Sequence, residues 1–306
     1  MDNLTHSLIG AALGQAGLKR KTGLAMPALI IAANLPDIDA PCALYGVESL
    51  AMRRGITHGP IALVLLPLVL AGLLIAFDRW QARRGTRPEK RLPVHAGWLV
   101  ALCYIGILTH PFFDWLNSYG IRLLEPFSHR WFYGDALFIV DPWILAMLGA
   151  GIWLSRRRER AQKPKASAPA RVGAYGVMAY VGVNLAITWD LAPQPISYVE
   201  KTVANPVPIA FWKRDRLTRT VENERGSQIV SISGDQGQVS DFGPINMSDP
   251  RIAEWSKNDP AAKAFLFWSR MPVAELHDDH ITLRDQRFLG SPASGQFTVT
   301  LRKPKP

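Results

Sequence analysis

The sequence predicts a mainly α-helical membrane protein that ends in a small soluble α+β domain. Apolar runs fill the chain up to about Trp189, basic clusters separate them, and a mixed polar sequence follows from Asp190. The mean hydropathy of +0.04 over 306 residues therefore averages two different parts. We expect a membrane-embedded helical domain at residues 1–190 and a soluble domain at residues 191–306.

Two short apolar segments open the chain. Leu8 to Leu18 and Leu24 to Leu35 are both shorter than the roughly 20 residues that cross the hydrocarbon core of a bilayer. Gly10 and Gly14 have the four-residue spacing that lets helices approach closely. These features predict a short N-terminal helical pair, joined through the basic residues Lys19 to Lys21.

Four longer apolar runs are predicted to be full membrane spans. They are Ile61 to Phe77, Ala96 to Phe113, Leu137 to Leu154, and Val172 to Trp189. The third run is interrupted by Asp141-Pro142, which makes it the least regular of the four.

The net charge of +10 is concentrated beside the apolar runs. The first 189 residues hold 20 basic and 11 acidic residues, and 16 of the basic ones lie in Lys19–Lys21, Asp78–Arg91 and Arg156–Arg171. Basic residues that flank membrane segments mark the cytoplasmic side. Trp80 is the single aromatic residue within these clusters, and so sparse an aromatic content disfavours a nucleic-acid partner. The opposite ends of the spans and the C-terminal domain are then extracytoplasmic.

The C-terminal part contains short β-like runs and one helical region. The runs are Gln228–Ser233, His280–Leu283 and Gln296–Leu301, bounded by Gly, Asp and Pro. A helix is expected near Ile252–Trp268, beginning at Asp249-Pro250 and broken by Asp259-Pro260.

Histidines and aspartates gather at the ends of apolar segments that lie away from the basic clusters. Thr-His occurs three times, and Asp114 follows His110 by four residues, which places both on one helix face. The candidate metal ligands are His6, Asp37, Asp39, His58, His110 and Asp114. Taken singly, each has another interpretation: a Thr can cap a helix, and Asp37-Ile38-Asp39 can be a turn. Their common position at one membrane face favours a metal site.

A mixed His/Asp ligand set without thiolate suits zinc first, with manganese or iron as alternatives. Six ligands exceed the need of one closed tetrahedral site, so one or two ions per chain are expected. A two-metal site activates water for phosphoester cleavage. Either Asp37 or Asp135 would then act as the general base.

Other residues are candidates for metal or substrate contacts. His129 and Arg130 lie in a loop that could cover the site and bind a metal or a substrate phosphate, with solvent exposure as the alternative. Asp141 lies inside an apolar run, where a carboxylate is costly, so it should be a ligand or be paired.

Four motifs together resemble the bacterial membrane-bound metal-dependent hydrolase family. They are Met1–Ser7, Asn34–Asp39, Arg54–Gly59 and Thr109–Asp114. The resemblance covers about residues 1–190, and Phe267–Pro272 and Leu283–Phe288 look like the family's C-terminal extension. That family is distantly similar to the zinc-dependent phospholipase C and single-strand nuclease superfamily, which implies a helical bundle. The ligands that carry over are His6, Asp39, His58, His110 and Asp114. A late His-x3-Glu/Asp pair found in soluble members is missing near Leu137–Leu154, where Asp141 could substitute in part.

Two functions follow as hypotheses. The first is a multi-pass inner-membrane hydrolase that acts on a membrane lipid or lipid-linked phosphoester. The alternative is a membrane scaffold whose metal is structural and whose C-terminal domain binds a partner. An intramembrane metalloprotease is disfavoured because the chain has no His-Glu-x-x-His helix. The oligomeric state is open.

Overall fold

A computed structural model describes residues 1–190, 199–220, 228–233, 238–289 and 294–303 of the chain. The protein divides into two compact units. The first comprises Met1–Ile38 and Arg54–Ala186, and the second comprises Asp39–Arg53 and Ile187–Pro306. The segment Asp39–Arg53, which the sequence assigned to the membrane domain, therefore groups with the C-terminal part.

The described residues are mostly helical in the first unit. The α-helices of the described chain are α1 (Asn3–Gln15), α2 (Ala25–Asn34), α3 (Ser49–Met52), α4 (Pro60–Arg83), α5 (Ala96–Trp115), α6 (Pro142–Arg160), α7 (Ala168–Asp190), α8 (Pro250–Ser256) and α9 (Pro260–Trp268). A 3-10 segment, Leu35–Glu48, follows α2 directly.

The short N-terminal helical pair is confirmed as α1 and α2. Asp2 caps α1 by accepting a hydrogen bond from the Thr5 amide at 3.0 Å. Gly10 lets the two helices touch, because a Cβ atom there would lie 2.6 Å from the Leu29 carbonyl oxygen. Gly106 of α5 approaches the other side of α2 in the same way, with a virtual Cβ 2.7 Å from the Ala32 side chain. Small residues thus place α2 between α1 and α5.

Three of the described helices, rather than the four expected, are long and apolar enough to cross a membrane: α4, α5 and α7. The predicted span at Leu137–Leu154 corresponds to α6, which begins only at Pro142. Asp141 caps its first turn and arginines begin at Arg156, so the apolar part holds fourteen residues. That is fewer than the roughly 20 that span hydrocarbon. On α4, Leu65, Val69 and Leu73 are more than half exposed, as a lipid-facing surface requires.

Alternation of the helices brings the candidate metal ligands and the basic residues to opposite ends of the first unit. Hydrogen bonds tie together the basic end: Lys19 Nζ reaches Glu159 Oε2 at 2.5 Å, and Arg171 Nε reaches the Ala16 carbonyl at 2.7 Å. The His95 amide at the start of α5 donates to Thr22 Oγ1 at 2.8 Å. The opposite end of the first unit, called the ligand end, consequently holds the start of α1, the end of α2, the start of α4 and the end of α5.

The second unit contains two antiparallel sheets. The strands are β1 (Val199–Pro206), β2 (Arg214–Thr220), β3 (Gln228–Ser233), β4 (Gln238–Pro244), β5 (Pro272–Leu276), β6 (His280–Asp285) and β7 (Thr298–Arg302). One sheet has the order β1-β2-β3-β4 and the other β5-β6-β7. The three predicted strands are confirmed as β3, β6 and β7. The predicted helix is confirmed as α8 and α9, with Asp249 and Asp259 as the N-caps.

A buried ion pair organises the smaller sheet. Asp285, at the end of β6, accepts hydrogen bonds from Arg287 Nε at 2.8 Å and from Ser269 Oγ at 2.6 Å. The Arg287 guanidinium also lies 4.9 Å from the centre of the Trp268 ring. Burial raises the pKa of Asp285, but the charge and hydrogen bonds of Arg287 outweigh it and lower the pKa from 3.8 to about 2.

Asp285→Asn is expected to destabilise this sheet. Removing one partner of a buried ion pair costs about 3–5 kcal/mol, because the other charge stays buried. Hydrogen–deuterium exchange of β6 amides in the full-length protein measures the loss. The control is Glu275→Gln, since the Glu275–Arg284 pair is close to half exposed on both sides and such pairs contribute about 0.2–1 kcal/mol.

The same contact predicts acid sensitivity. Because the pKa of Asp285 is depressed by folding, its stabilisation is present above pH 3.8 and is lost as the pH falls towards 2. Protection of the β6 amides from hydrogen–deuterium exchange should fall over that pH range more steeply in the wild type than in Asp285→Asn. Equal pH profiles for the two proteins would contradict this account.

Candidate metal centre

Four buried side chains converge at the ligand end of the first unit. Donor atoms of Asp37, His58, His110 and Asp114 all lie within 4.8 Å of one another. They come from three local contexts: the turn after α2, the turn before α4, and two positions one turn apart near the end of α5. The alternating helices bring these positions together although they span 78 residues of sequence.

Asp114 is the centre of the group. Its Oδ2 atom lies 3.5 Å from His58 Nε2 and 3.5 Å from His110 Nε2. Helix α5 continues through Pro111, so His110 and Asp114 stay on one face, as the four-residue spacing predicted. Both side chains are fully buried.

The orientation of His110 leaves one ring nitrogen available to a metal. Its Nδ1 lies 2.7 Å from the Ala33 carbonyl oxygen, which can only accept a hydrogen bond. The proton is therefore on Nδ1, and the lone pair of Nε2 points into the group. A carbonyl that fixes the tautomer in this way is the usual outer partner of a metal-binding histidine.

His58 is positioned by the two glycines around it. A Cβ at Gly55 would lie 2.5 Å from the Arg122 guanidinium, and one at Gly59 would lie 2.0 Å from the Glu125 carbonyl oxygen. Both glycines allow the 122–125 loop to press against the turn that carries His58. The Thr57 hydroxyl lies 2.9 Å from His58 Nδ1, so Nε2 faces His110.

The spacing of the donor atoms fits a single divalent ion. Zinc bonds of about 2.0–2.2 Å place tetrahedral ligands roughly 3.3–3.6 Å apart. His58 Nε2 and His110 Nε2 are 3.1 Å apart, and His110 Nε2 is 3.7 Å from Asp37 Oδ1. With the 3.5 Å distances to Asp114, these four values scatter around a tetrahedral edge, and all donor pairs of the group lie within 4.8 Å. Two imidazoles and two carboxylates, all buried, are also a donor set that zinc accepts.

His6 lies beside the four but outside the mutually close group. Its ring stacks on His110 with centroids 3.8 Å apart, and its Nε2 is 3.3 Å from Asp114 Oδ1. Its Nδ1 is buried and has no hydrogen-bond partner among the described residues. His6 thus joins the site through Asp114 and His110.

Two polar groups at the site were not predicted from the sequence. Arg54 is buried, and its Nε lies 3.1 Å from Asp114 Oδ2. The amino group of Met1 contacts Asp114 Oδ1. Arg54 lies four residues before His58 in the motif Arg54–Gly59. Its closeness in sequence to a predicted ligand could have indicated that it belongs to the site. No sequence pattern pointed to the Met1 amine.

The two remaining carboxylates of the predicted site are not members of the mutually close group. Asp39 is buried but belongs to the second unit, two residues beyond Asp37. Asp135 is buried with a left-handed backbone (φ 50°). Its neighbours Gly134 and Ala136 donate to the carbonyls of Trp115 and Leu116, so Asp135 lies along the end of α5. Neither belongs to the mutually close group.

The other candidates have contacts of a structural kind. Asp141 caps α6 by accepting from the Trp143 and Ile144 amides, and its Oδ2 accepts from the Tyr180 hydroxyl at 2.9 Å. His129 is exposed and lies 2.9 Å from Glu125 Oε1, while the exposed Arg130 stacks on Phe132. Asp141 is thus hydrogen-bonded at the start of α6, and its role as a metal ligand stays a prediction.

Comparisons with known proteins place the chain in a family. A sequence profile described as YdjM inner membrane protein matches residues 1–191. The uncharacterized protein YfhP of Bacillus subtilis strain 168 is 27% identical over 164 residues, which cover 50% of this chain and 46% of that protein. The chain thus spans less than half the length of that relative. No solved structure matches the chain. The chain belongs to the YdjM inner membrane protein family.

Proposed function

We propose that this protein is a metal-dependent hydrolase that cleaves a lipid-like phosphoester at the membrane. The observation that carries the proposal is the buried group of Asp37, His58, His110 and Asp114. A divalent ion held there, zinc first with manganese or iron as alternatives, would supply Lewis acidity and an activated water. The spacing supports one ion per chain.

Arg54 supports an anionic substrate. Its buried guanidinium stands next to the ligand Asp114, at 3.1 Å. A divalent cation and a guanidinium repel each other in a buried site, so their pairing favours a ligand that carries negative charge. Arginine matches the oxygens of a phosphate group in geometry as well as in charge. Nη1 of the same guanidinium donates to Asn117 Oδ1 at 2.9 Å and to the Gly120 carbonyl oxygen at 3.2 Å, which holds the positive charge beside the ligand.

The carboxylates of the site are candidates for two roles, metal ligand and general base. Asp114 is held by Arg54 and by the histidines, which suits a fixed ligand. A catalytic metal needs an open coordination position, so His58, His110 and Asp114 would hold the ion. Asp37, 3.7 Å from His110, would then be the unliganded carboxylate and the first candidate for general base, with Asp135 as the second. Basic clusters at the opposite end of the helices favour an extracytoplasmic site in a multi-pass protein.

A membrane scaffold with a structural metal is the second candidate, and burial favours it. His58, His110 and Asp114 have no exposed side-chain surface. A catalytic metal keeps an open coordination position, whereas a structural one is closed. The C-terminal unit would then bind a partner.

Hydrolysis of a chromogenic phosphodiester by the full-length protein in detergent distinguishes the two. The hydrolase predicts turnover that a chelator abolishes and a divalent metal restores. Arg54→Gln should keep the metal and lose about 100-fold or more in turnover, the effect of removing one charge-stabilising donor. Metal-loaded protein without turnover would favour the scaffold, and turnover that survives both chelation and Asp114→Asn would refute the metal mechanism.

A further inference from the structure

A groove away from the metal centre lies between α1 and α6. Its volume is about 570 Å³. Leu8, Ile152 and Trp153 form its apolar wall, and Arg156, Arg157 and Arg160 line its other part. Lining residues run from Gly149 to Ala161, a length of about 18 Å along a helix. One end of the groove is therefore apolar and the other strongly basic.

The arginines of the groove carry uncompensated positive charge. Within the described ranges, Arg156, Arg157 and Arg160 form no ion pair, and no carboxylate lines the groove. The nearby Glu159 is engaged by Lys19 at 2.5 Å and by Gln15 at 3.0 Å. Arg157 lies 5.6 Å from the centre of the Trp153 ring, which holds its guanidinium over the apolar wall.

Contacts between α6 and α7 place these arginines at the end of a candidate membrane span. Ser155 Oγ accepts a hydrogen bond from the Ala170 amide in the first turn of α7 at 2.8 Å. Gly151 and Gly173 let the two helices approach, because a Cβ on Gly173 would lie 2.7 Å from the Met147 carbonyl oxygen. Residues before Ser155 therefore lie beside α7, and the arginines after Ser155 lie beyond its first turn, at the membrane–water interface.

We propose that this groove binds one anionic phospholipid. The phosphodiester group would lie among Arg156, Arg157 and Arg160, and an acyl chain would lie along Leu8, Ile152 and Trp153. Basic pockets between helices at the cytoplasmic interface bind such headgroups. Free phosphate would use the arginines but not the apolar wall, so the shape favours a lipid. The proposal is independent of the hydrolase, since none of these residues belongs to the metal group.

Native mass spectrometry of the full-length protein with phosphatidylglycerol and phosphatidylcholine tests the site. We expect tighter binding of the anionic lipid, and a loss of about fivefold per arginine when Arg156, Arg157 and Arg160 become Gln. The matched control changes Arg79, Arg83 and Arg84 to Gln. These are equally exposed, lie at the end of another candidate span, and include an Arg84–Trp80 contact. The control should retain binding.

Trp153→Ala tests the apolar wall without changing charge. It should weaken lipid binding, whereas excess inorganic phosphate should not displace the lipid from the wild type. Equal affinity for both lipids, an equal loss in the control variant, or displacement by phosphate with no effect of Trp153→Ala would overturn the proposal. Because this readout needs no turnover, its failure would leave the hydrolase proposal untouched.

Discussion

Alanine at His110 is expected to remove the bound divalent metal from the purified protein. His110 Nε2 lies within 3.7 Å of donor atoms on all three other members of the group. An ion bound by the group would therefore contact His110. Changes to partners outside the ligand shell already cost about 10–100-fold in metal affinity, and loss of a ligand should exceed that. Elemental analysis should show about one ion per chain in the wild type and a background level in His110→Ala.

The matched control is His129→Ala. His129 was predicted to lie in a loop that could cover the site, and its side chain is 69% exposed. Its removal should leave the metal content unchanged. Asp114→Asn keeps the shape of the side chain. Loss of metal from this variant as well would show that the loss in His110→Ala does not come from misfolding. An affinity tag without histidine is needed. Retention of metal by both His110→Ala and Asp114→Asn would exclude this metal centre.

Gly59→Ala is expected to disturb the site although Gly59 carries no ligand. An added Cβ would lie 2.0 Å from the Glu125 carbonyl oxygen, a backbone atom that cannot rotate away. Overpacking of this kind costs about 1–3 kcal/mol. The backbone must shift next to His58, so we also expect metal affinity to fall by about 10–100-fold. Thermal unfolding and metal titration measure the two effects.

Gly72→Ala in α4 is the control. A Cβ there meets nothing within 4 Å, and alanine favours a helix over glycine by up to about 1 kcal/mol. This variant should be at least as stable as the wild type and bind metal normally. Equal behaviour of Gly59→Ala and Gly72→Ala would show that the 122–125 loop does not hold the His58 turn.

Local patterns were sufficient for most helices. Apolar runs predicted the helices of the first unit, because the length of a hydrophobic segment is a local property of the sequence. Asp249-Pro250 and Asp259-Pro260 located α8 and α9, because N-cap chemistry also acts over a few residues. The fourth predicted span was not confirmed at α6, since the start at Pro142 and the arginines from Arg156 leave an apolar part shorter than the roughly 20 residues that span hydrocarbon.

By itself, the sequence determined that His58, His110 and Asp114 would lie at the same end of neighbouring helices, because alternating apolar segments must reverse direction. Only the tertiary structure decided which groups meet there. Arg54 joins Asp114 because the turn before α4 packs against the end of α5. Asp37 belongs to the mutually close group, whereas Asp39 is counted with the second unit. Such choices depend on contacts between distant segments, which no local pattern encodes.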